Sequence, residues 1–273
     1  VRVEGDAAAL AGRTLVLEVN GAERGRRTLS SRATLPDVQR FEIGELGQGE
    51  HRLAARLTPA DDLPADDGAY ALVRRVQPKV LLVAASAAGD DATYLRAALQ
   101  ALAEPRFDVE VSTAGALATR SLSEFAAVVV SDAGLLAGAP EQGLRKYVEA
   151  GGAALLTLGP RTLQQRAVPL AGALLATGRA RAAGEAAARV AEVEQSHPVL
   201  REPGAWRSIR FFRHVPVIAP DGAQVLLRFE GDAPLLFEQS LAKGRLLTFA
   251  SPLDRAWNDL AIHPLFVRFI AES

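Results

Sequence analysis

The sequence predicts an α/β protein in which a doubly wound parallel sheet follows a separate N-terminal β domain. Three observations lead to this prediction. Before Pro78, short segments that alternate between apolar and polar residues are separated by turn residues. After Pro78, short and continuously apolar runs alternate with segments of helical periodicity. Strands that are apolar along their whole length are typical of a parallel sheet covered by helices on both faces.

Residues 1–77 are predicted to form an Ig-like β-sandwich. Residues 13–19 alternate, and the Asn20-Gly21 pair that follows is typical of a type I′ hairpin turn. Alternation also predicts strands at residues 24–29, 38–43, 51–57 and 69–76. Short strands at close spacing are typical of a small sandwich. The acidic residues 59–68 are predicted to form a solvated loop before the last of these strands.

Residues 78–273 are predicted to form the α/β domain. Its buried strands are expected at residues 79–83, 107–111, 126–130 and 153–158. Helices are expected at residues 90–102, 140–150 and 263–271. Asp90 or Asp91 would cap the first of these helices, and Gly151 would end the second. A late β region is expected at residues 224–229, 234–239 and 245–249.

The composition excludes several classes of function. Basic and acidic residues nearly balance, at 31 against 32, so no global field favours nucleic acid or an anionic membrane surface. The chain has no cysteine and therefore has no thiolate nucleophile, disulfide or cysteine-ligated metal. No apolar run reaches the roughly 18 residues that cross a bilayer. Because methionine is absent even at position 1, we expect the chain to be a piece of a longer protein.

Several motifs after Pro78 share the pattern of one known family. The most specific is Leu144-Arg-Lys-Tyr-Val-Glu-Ala-Gly-Gly152 followed by Leu155-Leu156. The other motifs are Val80-Leu-Leu-Val83, Val128-Val-Val-Ser-Asp132, His197-Pro198, Gly244-Arg-Leu-Leu-Thr-Phe-Ala250 and Leu253-Asp-Arg-Ala-Trp-Asn-Asp-Leu260. Together they resemble the class I glutamine amidotransferase-like domain of large bacterial membrane-anchored proteins of the BatA, von Willebrand-A-associated type. The resemblance implies a flavodoxin-like fold and a periplasmic or extracytoplasmic location. It also implies membrane anchoring through segments outside this chain.

The turn that would carry the nucleophile in that family lacks one here. The family places a cysteine on a tight turn after the strand equivalent to residues 153–158, whereas this chain reads Gly159-Pro160-Arg161-Thr162. A strained nucleophile elbow needs small neighbours, and Pro160 and Arg161 are not small. The His-x-Glu pair that the family carries near its C-terminal end is also missing. We therefore predict no amidotransferase chemistry, no catalytic residue and no cofactor.

Candidate ligand-binding residues are Ser86, Asp132, Asp254 and Trp257. Ser86 and Asp132 follow predicted buried strands, and ligands of open α/β sheets bind at the carboxyl ends of such strands. Asp254 and Trp257 combine polar and aromatic groups in one loop, as small-ligand sites do. Packing of Trp257 as an anchor of that loop explains the same pattern equally well. The prediction is that Trp257 inserts into the domain while Asp254 or Asp259 binds nearby backbone.

No metal site is predicted. A divalent cation held by Asp90, Asp91 and Asp132 has weaker support than helix capping by Asp90 or Asp91. The four histidines are not in metal-ligand spacing with one another. His197 and His263 each precede a proline and are interpreted as caps or packed side chains. His51 and His214 lie in strand-like segments and are predicted to face the surface.

The sequence therefore predicts a non-catalytic interaction or assembly module with a protein partner and no nucleic-acid partner. Two alternative hypotheses stay open, a hydrolase and a small-ligand sensor, both using carboxylates at the carboxyl ends of the parallel strands. A metal-retaining pocket that joins Asp132 to Asp90 or Asp91 would favour the enzyme. A shallow, uncharged edge with apolar surface elsewhere would favour the interaction module.

Overall fold

Two compact units make up the chain, Val1–Gln77 and Pro78–Ser273, here called the N-terminal and C-terminal units. The boundary lies where the alternating pattern gives way to continuous apolar runs. The structure is a computed structural model that describes residues 1–30, 35–44, 46–87, 89–102, 106–176, 181–182, 187–200 and 202–273.

The N-terminal unit is built around a four-stranded antiparallel sheet. Its elements are β1 (Arg2–Val3), the helical turn α1 (Ala7–Leu10), β2 (Thr14–Val19), β3 (Ala22–Thr28), β4 (Asp37–Val38), β5 (Gly49–Thr58) and β6 (Gly68–Arg75). The sheet has the order β3-β2-β5-β6, and β1 pairs separately with β4. Asn20 and Gly21, between β2 and β3, have φ values of 53° and 82°. These positive values confirm the predicted hairpin turn, because a type I′ turn needs positive φ at both central residues.

The second layer of this unit differs from the predicted sandwich. Leu15, Leu17 and Val19 of β2 are buried on one face of the sheet, as alternation predicts. Opposite that face, the predicted strand at residues 38–43 is wrong beyond Val38, since only β4 forms there. Phe41 instead packs against the core from a loop, lying over Gly25. The alternation therefore reflected burial of every second side chain without strand pairing, and the layer facing the sheet is mostly loop.

The C-terminal unit combines twelve strands and four helices in the residues that the structure describes. Its strands are β7 (Lys79–Val83), β8 (Asp108–Ser112), β9 (Phe125–Val130), β10 (Ala153–Thr157), β11 (Leu174–Leu175), β12 (Arg181–Ala182), β13 (Val190–Val193), β14 (Arg213–His214), β15 (Val217–Ile218), β16 (Gln224–Phe229), β17 (Pro234–Leu241) and β18 (Gly244–Phe249). Its helices are α2 (Asp90–Gln100), α3 (Ala139–Glu149), α4 (Pro203–Trp206) and α5 (Leu265–Glu272). Short 3-10 turns lie between them.

An eight-stranded mixed sheet forms the centre of this unit, with the order β13-β16-β17-β18-β10-β9-β7-β8. The five strands from β18 to β8 are mutually parallel. The remaining three are antiparallel to their neighbours. The prediction of a parallel sheet is therefore corrected to a mixed one, which includes the predicted late β region. The late strands extend the same sheet, because β18 pairs with β10 on one side and with β17 on the other.

Helices cover both faces of the parallel strands. The crossovers β7–α2–β8 and β9–α3–β10 run in opposite directions along the sheet, so right-handed connections place α2 and α3 on opposite faces. The closing helix α5 packs beside α2. Leu81, Leu82 and Val83 are consequently fully buried, as the continuous apolar run predicts for a central strand.

The start of α2 corrects one prediction. The N-cap residue is Gly89, with φ −71° and ψ 159°, and no side chain caps the helix. The expected capping by Asp90 or Asp91 is therefore wrong. Both residues lie in the first helical turn, where the partial positive charge of the helix N-terminus favours carboxylates.

Residues 78–273 are expected to fold without the N-terminal unit. The described core of the C-terminal unit begins at Val80, and that of the N-terminal unit ends at Leu57, so the two cores share no residue. The fragment should be soluble and should unfold cooperatively in urea when followed by far-UV circular dichroism. A molten or insoluble fragment would mean that the two units depend on one core.

Candidate functional site

The carboxyl ends of β7, β9, β10 and β18 lie at one edge of the sheet, here called the carboxyl edge. Within the sheet, β8 and β9 lie next to β7 on opposite sides of it. The chain passes from β7 to β8 and then back across β7 to β9. The strand order therefore reverses between β7 and β9. Ligands of open α/β sheets bind in the crevice that such a reversal leaves at the carboxyl edge.

Two carboxylates and a serine meet at this reversal, and we call Asp91, Ser131 and Asp254 the edge cluster. Asp91 lies in the first turn of α2, Ser131 follows β9, and Asp254 lies in the loop after β18. Burial raises the pKa of Asp91, a hydrogen bond from the Ser131 side chain lowers it, and the charge of Asp254 raises it again. A half-buried carboxyl group with a raised pKa beside a second carboxylate is typical of acid–base or ligand sites.

Asp254 is held by its own loop. Its Oδ1 accepts hydrogen bonds from the backbone N–H groups of Ala256, at 2.9 Å, and Trp257, at 3.0 Å. Burial raises the pKa of Asp254, these two bonds lower it, and the charge of Asp90 raises it. The predicted backbone contacts of Asp254 are thereby confirmed.

Trp257 is an anchor of the same loop. Its side chain is buried, at 6% exposure, and its carbonyl oxygen accepts hydrogen bonds from the N–H groups of Phe212, at 2.7 Å, and Arg213, at 3.1 Å. Asn258 is fully buried beside it and donates from Nδ2 to the Pro252 carbonyl at 2.7 Å. The loop is therefore tied to neighbouring segments, with Trp257 inside, as the packing hypothesis predicts.

Asp132 binds the turn after β10. Its Oδ1 accepts from Gly134 N at 3.1 Å, from Thr162 N at 3.0 Å and from Thr162 Oγ1 at 2.5 Å. Its Oδ2 accepts from Arg161 N at 2.8 Å. We call Asp132, Gly134, Arg161 and Thr162 the turn cluster. The buried Asp132 carboxylate thus makes four hydrogen bonds within the protein.

The turn cluster is also closely packed. A Cβ atom on Gly134 would lie 2.3 Å from the carbonyl carbon of Arg161. A Cβ atom on Gly159 would lie 2.7 Å from Asp132 Oδ2. Thr162 is fully buried, and its hydroxyl is used by Asp132 and Gly134. The turn that carries the nucleophile in the resembled family is therefore closely packed here, and the hydroxyl of Thr162 is used in structural contacts.

Of the four predicted ligand residues, the structure brings only Asp254 into the edge cluster. Ser86 is exposed in the loop after β7, where its carbonyl accepts from Gly89 N at 3.3 Å. Asp132 faces the turn cluster, and Trp257 is buried in its loop. Sequence reasoning missed Ser131 as a partner of Asp91. Its position directly after a buried parallel strand was the available signal.

The acidic segment 59–68 and two of the histidines have structural partners, and Asp67 is buried although this segment was predicted to be a solvated loop. In the N-terminal unit, Asp61 and Asp67 both bind the buried Arg13 guanidinium, with Asp61 at 2.8 Å. His214 is buried and stacks on Phe229 with 4.5 Å between ring centroids, so its predicted surface position is wrong. His263 Nδ1 accepts from Leu265 N at 3.2 Å at the start of α5, which agrees with its interpretation as a cap.

Comparisons with known proteins identify similar folds. No protein-family profile and no curated protein sequence matches the chain. A solved structure of cytoplasmic protein STM3548 from Salmonella typhimurium is similar at TM-score 0.56 and 16% identity, over 72% of this chain and 97% of that one. Cytoplasmic protein STM1381 from Salmonella typhimurium LT2 is similar at TM-score 0.53 and 17% identity, over 76% and 89%. A β-galactosidase from Rahnella sp. R3 gives TM-score 0.49 at 18% identity, over 72% and 31%.

The two similarities to the Salmonella proteins establish a mixed α/β fold that occurs in other proteins. Below 25% identity they carry no information on activity. Among the residues that the structure describes, none of the helices is long and apolar enough to span a bilayer.

Proposed function

We propose that this chain is a non-catalytic interaction or assembly module with a class I glutamine amidotransferase-like fold in its C-terminal unit. Numbered along the chain, its five parallel strands have the spatial order 2-1-3-4-5, and this order is the flavodoxin-like one. The N-terminal unit is proposed to be a reduced Ig-like sandwich, with a four-stranded sheet as its main layer.

The observation that carries the proposal is the turn cluster. An amidotransferase needs a nucleophile raised above the sheet on a tight turn. Here Thr162 provides the hydroxyl at that turn, but it is buried and donates to Asp132 at 2.5 Å. A hydroxyl that donates to a carboxylate and is shielded from solvent cannot meet a substrate carbonyl. The fold is therefore proposed to serve binding.

Partner and location follow from the resemblance and are proposed with it. We propose a protein partner, no nucleic acid, and a periplasmic or extracytoplasmic position tethered to the inner membrane by segments outside this chain. The near balance of acidic and basic residues supports a protein surface over nucleic acid.

The purified chain is expected to release no ammonia from glutamine above the buffer rate. It should also hydrolyse no generic ester or phosphoester substrate, because the Thr162 hydroxyl is buried in the turn cluster. A coupled glutamate dehydrogenase assay measures the first reaction, with Thr162→Ala as the matched variant. Ammonia release that Thr162→Ala abolishes would contradict the proposal.

The edge cluster favours a second candidate function. This cluster resembles a hydrolase or small-ligand site at the strand reversal. Burial raises the pKa of both of its carboxyl groups, those of Asp91 and Asp254. If this candidate is right, the chain should hydrolyse a substrate, or an added ligand should raise its melting temperature. Asp91→Asn should abolish that hydrolysis or that rise in melting temperature. Asp221→Asn is the control, because Asp221 is an exposed carboxylate in the turn before β16, outside the edge cluster, and its replacement should leave the effect unchanged.

A further inference from the structure

The free edge of β6 is long, regular and apolar. β6 pairs with β5 without a register shift from Gly68 to Arg75, and it has no second partner strand in the described part of the N-terminal unit. Tyr70 is 70% exposed and Leu72 is 62% exposed on this strand. Native proteins usually blunt such an edge, because its unpaired backbone groups recruit other strands.

The opposite edge of the same sheet is blunted. β3 carries Glu23, Arg24, Arg26 and Arg27, and its ladder with β2 shifts register between Leu17 and Glu18. Charged side chains and irregular pairing are two of the devices that protect an edge. From Gly68 to Val73, β6 has neither a charged side chain nor a register shift.

The hydrogen-bond pattern shows which backbone groups a partner would meet. Asp67 O accepts from Leu57 N at 2.9 Å, so odd-numbered residues of β6 form the hydrogen-bonded pairs with β5. In an antiparallel ladder the intervening residues direct their N–H and C=O groups to the other side. Those residues are Gly68, Tyr70, Leu72 and Arg74.

We propose that β6 pairs antiparallel with β6 of a second copy of this chain, around a two-fold axis at Ala71. This inference deepens the proposed assembly function by naming its surface and occupant. In this register Tyr70 of one copy lies opposite Leu72 of the other, twice over. Aromatic and aliphatic side chains opposite each other stabilise a ladder.

The charges along the strand favour this self-pairing. Exposed Asp62 and Asp66 precede β6, and Arg74 lies at its end. Antiparallel pairing places Arg74 of each copy opposite Gly68 of the other, at the end of the strand that the turn containing Asp66 precedes, whereas parallel pairing would align Arg74 with Arg74. The strand is therefore complementary to itself, as an isologous two-fold interface requires.

A single engineered cysteine tests the register. Ala71 would face its own copy in a non-hydrogen-bonded pair, at a Cα separation of about 4.5 Å, within the range of about 4.4–6.8 Å that disulfides need. The chain has no other cysteine, so Ala71→Cys should give a disulfide-linked dimer under mild oxidation. Ala69→Cys, on the same face, is the control, because its two copies would lie roughly 13 Å apart along the strands.

Analytical ultracentrifugation tests the association itself. The unmodified chain should sediment at twice the monomer mass, and Leu72→Lys should sediment as a monomer with an unchanged melting temperature. Thr28→Lys, which adds the same charge to the exposed β3 edge, should remain dimeric.

A monomeric parent chain would overturn this proposal, and so would equal crosslinking by Ala71→Cys and Ala69→Cys. If either result is obtained and the glutaminase and hydrolase assays are also negative, the dimer proposal is wrong but the non-catalytic function is not contradicted. Conversely, a dimer with hydrolase activity would refute the proposed function alone.

Discussion

Replacing Trp257 with alanine is expected to lower the free energy of unfolding of the C-terminal unit by about 3–5 kcal/mol. The indole is buried, and the loop around it is held by the bonds of its own backbone to residues 212–213 and by Asp254. Removing the ring leaves a cavity that the surrounding residues cannot close, because hydrogen bonds hold them in place. The cost of this cavity adds to the free energy lost by no longer burying the ring. Urea unfolding followed by far-UV circular dichroism measures the change.

Two variants separate packing from other effects of the Trp257 substitution. Trp257→Phe keeps an aromatic ring and should cost less than Trp257→Ala. Ile262→Ala removes a side chain that is 55% exposed beyond the same loop, and it should stay within about 0.5 kcal/mol of the parent. A Trp257→Ala chain with the parent's melting temperature would instead favour a loop in which Trp257 stacks on a ligand.

Asp132→Ala is expected to destabilise the C-terminal unit by about 2–6 kcal/mol, since it leaves the N–H groups of Arg161 and Thr162 unpaired at about 1–3 kcal/mol each. The Thr162 hydroxyl also loses its acceptor, which places the expected loss in the upper part of this range, whereas the Gly134 N–H still donates to Thr162 Oγ1 at 3.1 Å. Differential scanning calorimetry on the whole chain should show a lower transition for the C-terminal unit.

Two further variants serve as references for the stability of Asp132→Ala. Asp132→Asn keeps one acceptor oxygen and turns an NH2 group toward a backbone donor, so its stability should fall between those of Asp132→Ala and the parent. Asp221→Ala removes an exposed carboxylate from a turn and should have almost no effect. If Asp132→Ala proves as stable as Asp221→Ala, the turn cluster does not hold the turn after β10.

Local patterns were enough to predict most of the regular elements. The apolar run of β7 and the helical spacing of α3 each give a strong periodic signal, and both elements lie within a residue of the predicted bounds. Asn20-Gly21 predicted its turn because positive φ at both residues is a local preference. Residues 38–43 misled the prediction because a loop that buries Phe41 and Ile43 alternates like a strand.

The candidate site was only partly predictable. The parallel-strand argument places residues at the carboxyl edge, and it correctly directs attention to the ends of β7 and β9. It does not determine side-chain partners, which depend on segments far apart in the chain. Asp132 was therefore predicted to face a ligand although it binds the turn 29 and 30 residues later. Ser131, its neighbour, bonds Asp91 instead.

Residue type and local periodicity were sufficient to predict the change of architecture at Pro78, the buried strands and the absence of a cysteine nucleophile. The folded structure was needed to show that the late strands extend the central sheet and that Asp132 covers Thr162. It was also needed to show that the edge of β6 is unpaired while the edge of β3 is charged and irregular. These outcomes depend on which segments meet across long sequence separations, and backbone pairing and burial are settled only when those segments pack.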